Sequence, residues 1–161
     1  MNIKYIGLLF IFIACTFFGC GLAVSEKRRI ERSQSLRDLI VHIQREIECF
    51  RAPLENIYSS FHSEALKKSG FTEKMRQNSL RYALESAGNI FCFSDGVFSS
   101  LLNFADFLGK SEYTDQISRC KYIILQLDDE LKKSRESYPK NRKMYSSLGI
   151  LTGIMIVILL L

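Results

Sequence analysis

Histidine is scarce in this 161-residue chain: His42 and His62 are the only two, and neither belongs to an H-E-x-x-H or Glu-x-x-His pair. The helical zinc arrangements that need such pairs are therefore absent. Cysteine offers no substitute. Cys15, Cys20, Cys49, Cys92 and Cys120 form no C-x-x-C pair, and two of them sit in an apolar run, so they read as small hydrophobes and not as a metal or redox centre. No Walker lysine loop, no G-x-G-x-x-G and no G-x-S-x-G occurs, which removes the common phosphate cradles and the esterase elbow. Ser94-Asp95-Gly96 reads as a turn. The length allows one domain of ordinary size and excludes a large multidomain enzyme. The expectation is a protein without catalytic residues, cofactor or metal.

Charge is missing in two blocks and crowded elsewhere. Tyr5 to Val24 and Met144 to Leu161 carry no charged side chain, and every acidic residue lies between them. The first block, at ~20 residues, is long enough to span a bilayer core. For the second, residues 148–161 at ~1.5 Å rise reach about 21 Å, and starting at Met144 brings the length to about 27 Å of a ~30 Å core. Its residues are apolar all round, which leaves no face for water and disfavours a buried core helix. The domain expectation is a transmembrane helix over 4–24, a cytoplasmic helical domain over 25–143 and a second transmembrane helix over 144–161. Gly19-x-x-x-Ala23 and Gly149-x-x-x-Gly153 are candidate packing positions, since small residues let helices approach closely in lipid.

A cleaved signal peptide is the competing reading of the first block, with Gly21-Leu22-Ala23 as a small-x-small site. The single Lys4 before the block, the block's length and Lys27-Arg28-Arg29 after it favour an uncleaved anchor. Phe12 and Phe17 occupy the positions where a lipobox around Cys15 or Cys20 wants a small aliphatic residue. From Arg45 to Glu136 the chain holds 13 basic and 14 acidic side chains, so the excess of 22 Lys and Arg over 17 Asp and Glu sits beside the apolar blocks. Lys27, Arg28, Arg29, Lys140, Arg142 and Lys143 are the candidate membrane-surface residues. They mark the cytoplasmic side of the spans and suit anionic lipid headgroups. Basic residues do not interleave with aromatics on one face, which argues against nucleic acid.

Between the blocks the pattern is helical, and no strand-like alternation persists. Leu36, Leu39, Ile40, Ile43, Ile47 and Phe50 form one stripe on a helix expected to continue from the first span and to stop near Arg51 before Pro53. Leu54, Ile57, Tyr58, Phe61 and Ala65 predict a second helix that begins at Pro53 and ends near Ser69-Gly70. Thr72 is the expected N-cap of a third, carrying Met75, Leu80, Ala83, Leu84 and Ala87. A loop over 88–96 precedes a fourth helix that closes at Gly109. A fifth starts near Glu112 with Ile117, Cys120, Ile124, Leu127 and Leu131 on one face, and Pro139 should interrupt or kink it. The fold class expected is all-α, a small antiparallel bundle between two transmembrane helices. The aromatics at 50, 58, 61, 71, 91, 93, 98, 104 and 107 are core candidates. Asp128-Asp129-Glu130 reads as a solvated face or as a surface for a basic partner. Glu46 is an exposed residue or a buried acid paired with Arg37 or Arg45.

These pieces together resemble the stage III sporulation protein AB family over nearly the whole chain. The positions that carry the resemblance are Leu36-Arg37-x-Leu39, Glu46-Ile47, Pro53-Leu54, Phe107-Leu108-Gly109-x-Ser111, Gln116, and Lys140-x-x-Lys143-Met144-Tyr145-x-x-Leu148-Gly149-x-Leu151-x-Gly153. Pro139 and the region 70–100 depart from the pattern. The resemblance implies a mother-cell protein of the outer forespore membrane, part of the channel apparatus between mother cell and forespore. It implies a cytoplasmic domain similar to that of the type II secretion F or pilus platform protein. The implied partners are the companion ATPase, stage III sporulation protein AA, and other membrane subunits of the channel. The alternative is a membrane-tethered helical adaptor of another envelope or secretion assembly. An exported protein held by its C-terminal tail is a further reading.

Overall fold

The computed structural model describes residues 3–50 and 53–160. Among the described residues seven α-helices follow one another: α1 (Ile3–Phe50), α2 (Leu54–Ser60), α3 (Glu64–Lys68), α4 (Phe71–Gln77), α5 (Leu80–Glu85), α6 (Asp95–Phe107) and α7 (Tyr113–Leu160), with a 3₁₀ turn at Gly88–Ile90. The described residues contain no strand, and the chain is all-α as expected. The stop near Arg51 and the end of the second apolar block at Leu161 lie outside the described residues. The chain forms two compact units: Met1–Arg28 with Arg135–Leu161, and Arg29–Ser134.

The first unit is a pair of antiparallel helical segments from α1 and α7. Their direction follows from the contacts, since Glu26 meets Asn141, Gly19 meets Gly149, and Phe12 meets Gly153. Large side chains point away from the seam: Phe17, Phe18, Leu151, Met155, Ile158 and Leu159 are exposed. In water that surface would be untenable. Both helices are long and apolar enough to cross a membrane, and a large-outside, small-inside pair suits lipid, where close backbone approach replaces hydrophobic burial.

The second unit buries a single apolar core. Leu36, Leu39, Ile40 and Ile43 of α1 are fully buried together with Phe71, Ala83, Leu84, Leu101, Cys120 and Leu127. Each large aliphatic in such a setting contributes about 1.5–3 kcal/mol. Phe71 and Phe91 meet edge to face with centroids 5.6 Å apart, a favoured quadrupole geometry. Phe71, Phe91 and Phe104 are core residues; Phe50 and Phe107, expected there, are 71% and 46% exposed. On α7 the buried face includes Ile123, which the sequence reading passed over, while Ile117 and Ile124 are half-buried.

Local chemistry cuts the middle more finely than hydrophobic spacing predicts. The expected second helix is two, because Phe61 turns extended and the Ser63 hydroxyl accepts from the Leu66 N–H, starting α3 anew. Pro53 is the extended residue before α2, not its first helical one. The expected third helix is also two. Gly70, in the left-handed conformation at φ 74°, precedes α4, so Thr72 lies within the first turn, buried, and is not the cap. Ser79 then caps α5 through the Tyr82 N–H. Asp95 and Gly96 already belong to α6. Pro139 does not interrupt α7, which is helical from Tyr113 to Leu160.

Candidate functional site

In the first unit the four small residues singled out from spacing all sit at the seam. Gly19, Ala23 and Gly153 are buried and Gly149 is half-buried. A Cβ on Gly19 would stand 2.7 Å from the Tyr145 carbonyl oxygen and 3.2 Å from the Gly149 Cα. A Cβ on Gly149 would reach the Cys15 carbonyl oxygen at 3.0 Å, and one on Gly153 the Phe12 ring at 2.9 Å. Glycine at these positions thus sets the spacing of the two backbones. Tyr145 is half-buried beside Gly19, whereas Leu148 points outward, 51% exposed. Cys15 and Phe12 complete the seam and were not predicted; only their places four and seven residues before Gly19 could have suggested it. Glu26 was missed as well. Its Oε1 accepts from the Asn141 amide at 2.8 Å, and its Oε2 is buried without a hydrogen-bond partner among the described residues.

Of the basic residues, Lys27, Arg28, Lys140, Arg142 and Lys143 are exposed in the first unit. Arg29, in the second, reaches the Phe91 carbonyl with its guanidinium at 2.6 Å. That bond fixes the stretch after the 3₁₀ turn, as does buried Ser33, whose hydroxyl accepts from the Cys92 N–H at 2.9 Å. A residue read as a lipid contact is therefore also an internal clamp.

The second unit brings together sequence pieces that lie more than fifty residues apart. Arg37 of α1 donates through Nε and Nη2 to both carboxylate oxygens of Asp128 on α7, at 2.9 and 3.1 Å. The hydrogen bond to Asp128 is the main cause that raises the Arg37 pKa above its ordinary value. Glu46 is half-buried on α1 and is not the acid that Arg37 grips. Leu36 is fully buried beside that pair. At the end of the bundle where α1 closes, the turn from α6 to α7 packs on the start of α2. Gly109 adopts φ 80°, and a Cβ there would lie 2.8 Å from Leu54 Cδ1. Gln116 holds the turn from inside: its Oε1 accepts from the Gly109 N–H at 3.2 Å and its Nε2 donates to the Ser111 carbonyl at 2.6 Å. Leu108 is buried beneath, and the Tyr113 hydroxyl donates to the Glu48 carbonyl at 2.7 Å. Leu54, Gly109, Tyr113 and Gln116, with Ile47, Pro53 and Glu55, line a cleft of about 460 Å³.

The acidic run on α7 is engaged within the chain. Asp128 holds Arg37, Asp129 and Glu130 hold Lys133, and Glu130 also accepts from the Ser94 N–H at 3.2 Å. The hydrogen bond that Lys133 donates to Asp129 is the main cause that raises the Lys133 pKa. A second cleft, about 750 Å³, lies between Phe61–Glu64 and Thr72–Arg76. Nucleophilic chemistry has little support. Burial pushes the Cys120 thiol up to about 12, so it stays protonated and unreactive near neutrality. Among the described residues no three His, Cys, Asp or Glu side chains gather as a metal would need.

Comparison with known proteins agrees with the motif reading. The profile of the family described as stage III sporulation protein AB matches residues 4–161. The stage III sporulation protein AB of Bacillus subtilis (strain 168) is 22% identical over 174 aligned positions, covering 99% of this chain and 99% of that protein. No solved structure matches.

Proposed function

Because the chain belongs to the stage III sporulation protein AB family, we propose that it serves sporulation as a non-enzymatic platform in the outer forespore membrane. In this reading residues 4–24 and 144–161 span the bilayer, residues 25–143 stand in the mother-cell cytoplasm, and the helical domain docks a stage III sporulation protein AA-like ATPase beside other channel subunits. The observation that carries the reading is the pairing of opposites in one chain. One unit exposes large apolar side chains over a glycine seam, and the other buries most of its large aliphatics in a bundle whose buried polar side chains, among the described residues, are Ser33 and Thr72. A packed helical bundle tied to membrane helices suits binding work. Basic residues at 27, 28, 140, 142 and 143 favour the cytoplasmic side.

The direct test is co-purification of the full chain, in nanodiscs containing anionic lipid, with the cognate ATPase. Stoichiometric recovery that survives washing supports the platform; recovery at the level of empty nanodiscs overturns it.

A further inference from the structure

One end of the first unit carries a belt of positive charge assembled from both of its helices. The Glu26 carboxylate accepts from the Asn141 amide across 115 residues of sequence, which sets α1 at residue 26 level with α7 at residue 141. Arg28 on α1 and Lys140, Arg142 and Lys143 on α7 cluster about that bond, and all four are exposed. At ~3.6 residues per turn, the three α7 cations point to different sides of their helix. The charge therefore surrounds the pair. The lipid-type surface stops at the same level: Val24 and Met144 are 47% and 49% exposed, and beyond them, away from the belt, Phe17, Phe18, Leu151 and Met155 face outward. In a bilayer such a border lies at the headgroups.

The belt has no counter-charge of its own. Glu26 is the acidic residue in the stretches 24–28 and 139–144; it is half-buried, with one oxygen on Asn141 and the other buried. Glu136 stands a turn farther from the apolar surface. Arg28, Lys140, Arg142 and Lys143 make no hydrogen bond or ion pair among the described residues, whereas Arg29, the next cation along α1, is held by the Phe91 carbonyl. Cations left open beside a greasy surface fit an anion that is itself anchored in that surface.

We infer that this belt binds the phosphates of anionic phospholipids, an assignment that rests on the first unit lying in a bilayer and is independent of ATPase docking. Arg28 and Arg142 suit bidentate contact with phosphate oxygens, and Lys140 and Lys143 act as point charges. The acyl chains of the same lipids cover the exposed apolar side chains next to the belt, which a soluble phosphate cannot do. Each cation held near an anionic surface is worth about fivefold in binding.

The test uses the purified full chain in detergent micelles doped equally with phosphatidylglycerol and phosphatidylcholine, with the lipid retained after washing quantified by mass spectrometry. Purified protein keeps the result free of any change in insertion. The wild type should retain phosphatidylglycerol over phosphatidylcholine at least tenfold, and high salt should reduce that preference. The variant Arg28→Gln/Lys140→Gln/Arg142→Gln/Lys143→Gln should lose it. Lys67→Gln/Lys74→Gln/Lys121→Gln/Lys132→Gln removes the same charge from exposed positions of the second unit and should behave as wild type. Equal retention of the two lipids by the wild type, or an unchanged preference in the first variant, overturns the belt while the membrane reading stands. Displacement of the lipid by inorganic phosphate overturns it too, since the surface would then be a general anion site. If the chain stays monodisperse in water without detergent, the membrane reading falls and the belt with it.

Discussion

Gly19 and Gly149 set the closest approach of two backbones, and the sequence announced them through a spacing of four with Ala23 and Gly153. What spacing could not announce was the register, because that depends on which turn of α7 meets which turn of α1. The structure places the Gly19 Cα against Gly149. Gly19→Leu should therefore cost about 1–3 kcal/mol through overpacking, and more than Gly21→Leu, where open space surrounds the missing Cβ. Thermal melts of the two variants in the same detergent check the order. Titration offers a second residue-scale test. Burial raises Cys120 from 9.0 and Tyr58 from 10.0, each to about 12. Both bind their proton more tightly folded than unfolded, so their stabilisation is complete below about pH 9 and is lost as pH climbs from there toward 12. Denaturation midpoints should fall over that interval, and Cys120→Ala and Tyr58→Phe should each flatten the decline. At pH 8 a thiol reagent should modify exposed Cys49 and leave Cys120 untouched until the fold is opened.

At the scale of elements, helix existence was legible and helix punctuation was not. The stripe from Leu36 to Ile47 and the restart after Pro53 follow from apolar spacing and proline. Ser63 and Ser79 end one helix and begin another by capping, a decision made by single hydroxyls inside an otherwise continuous apolar period. Ser63→Ala and Ser79→Ala should each cost about 1 kcal/mol, read from urea unfolding. Thr72 shows the reverse case: it has the right chemistry for a cap, yet left-handed Gly70 already stands at that place. Pro139 is a further lesson. A proline weakens a helix interior by about 3 kcal/mol relative to alanine, but the helical stretches on both sides are long enough to carry the defect. Pro139→Ala should accordingly raise the melting temperature. A fall would mean that the proline serves a bend the bundle requires.

At the scale of the whole molecule, the end-of-bundle cleft was only half legible. Its pieces were visible as motif positions, but a sequence does not say that residue 54 will meet residue 109 or that Tyr113 will reach Glu48. Such meetings arise from tertiary packing, as does the bidentate Arg37–Asp128 pair across 91 residues. With side chains 28% and 47% exposed, that pair should show a coupling of about 0.5–1 kcal/mol in a double-mutant cycle of Arg37→Ala and Asp128→Ala. Topology is testable at the same scale. Converting Lys27, Arg28 and Arg29 to glutamate should shift part of the population to the inverted orientation, seen as protection of residues 25–143 from protease added to the cytoplasmic side.

The order of synthesis adds a consequence. The α1 stripe of Leu36, Leu39, Ile40, Ile43 and Ile47 is translated first, yet Cys120, Ile123 and Leu127, which share its core, come some eighty residues later. A nascent chain therefore holds a greasy, uncovered ridge next to the inserted first span until the ribosome has made most of the protein. Slow translation or a truncated message leaves that ridge exposed, and holding factors or proteases have the whole of that interval in which to find it.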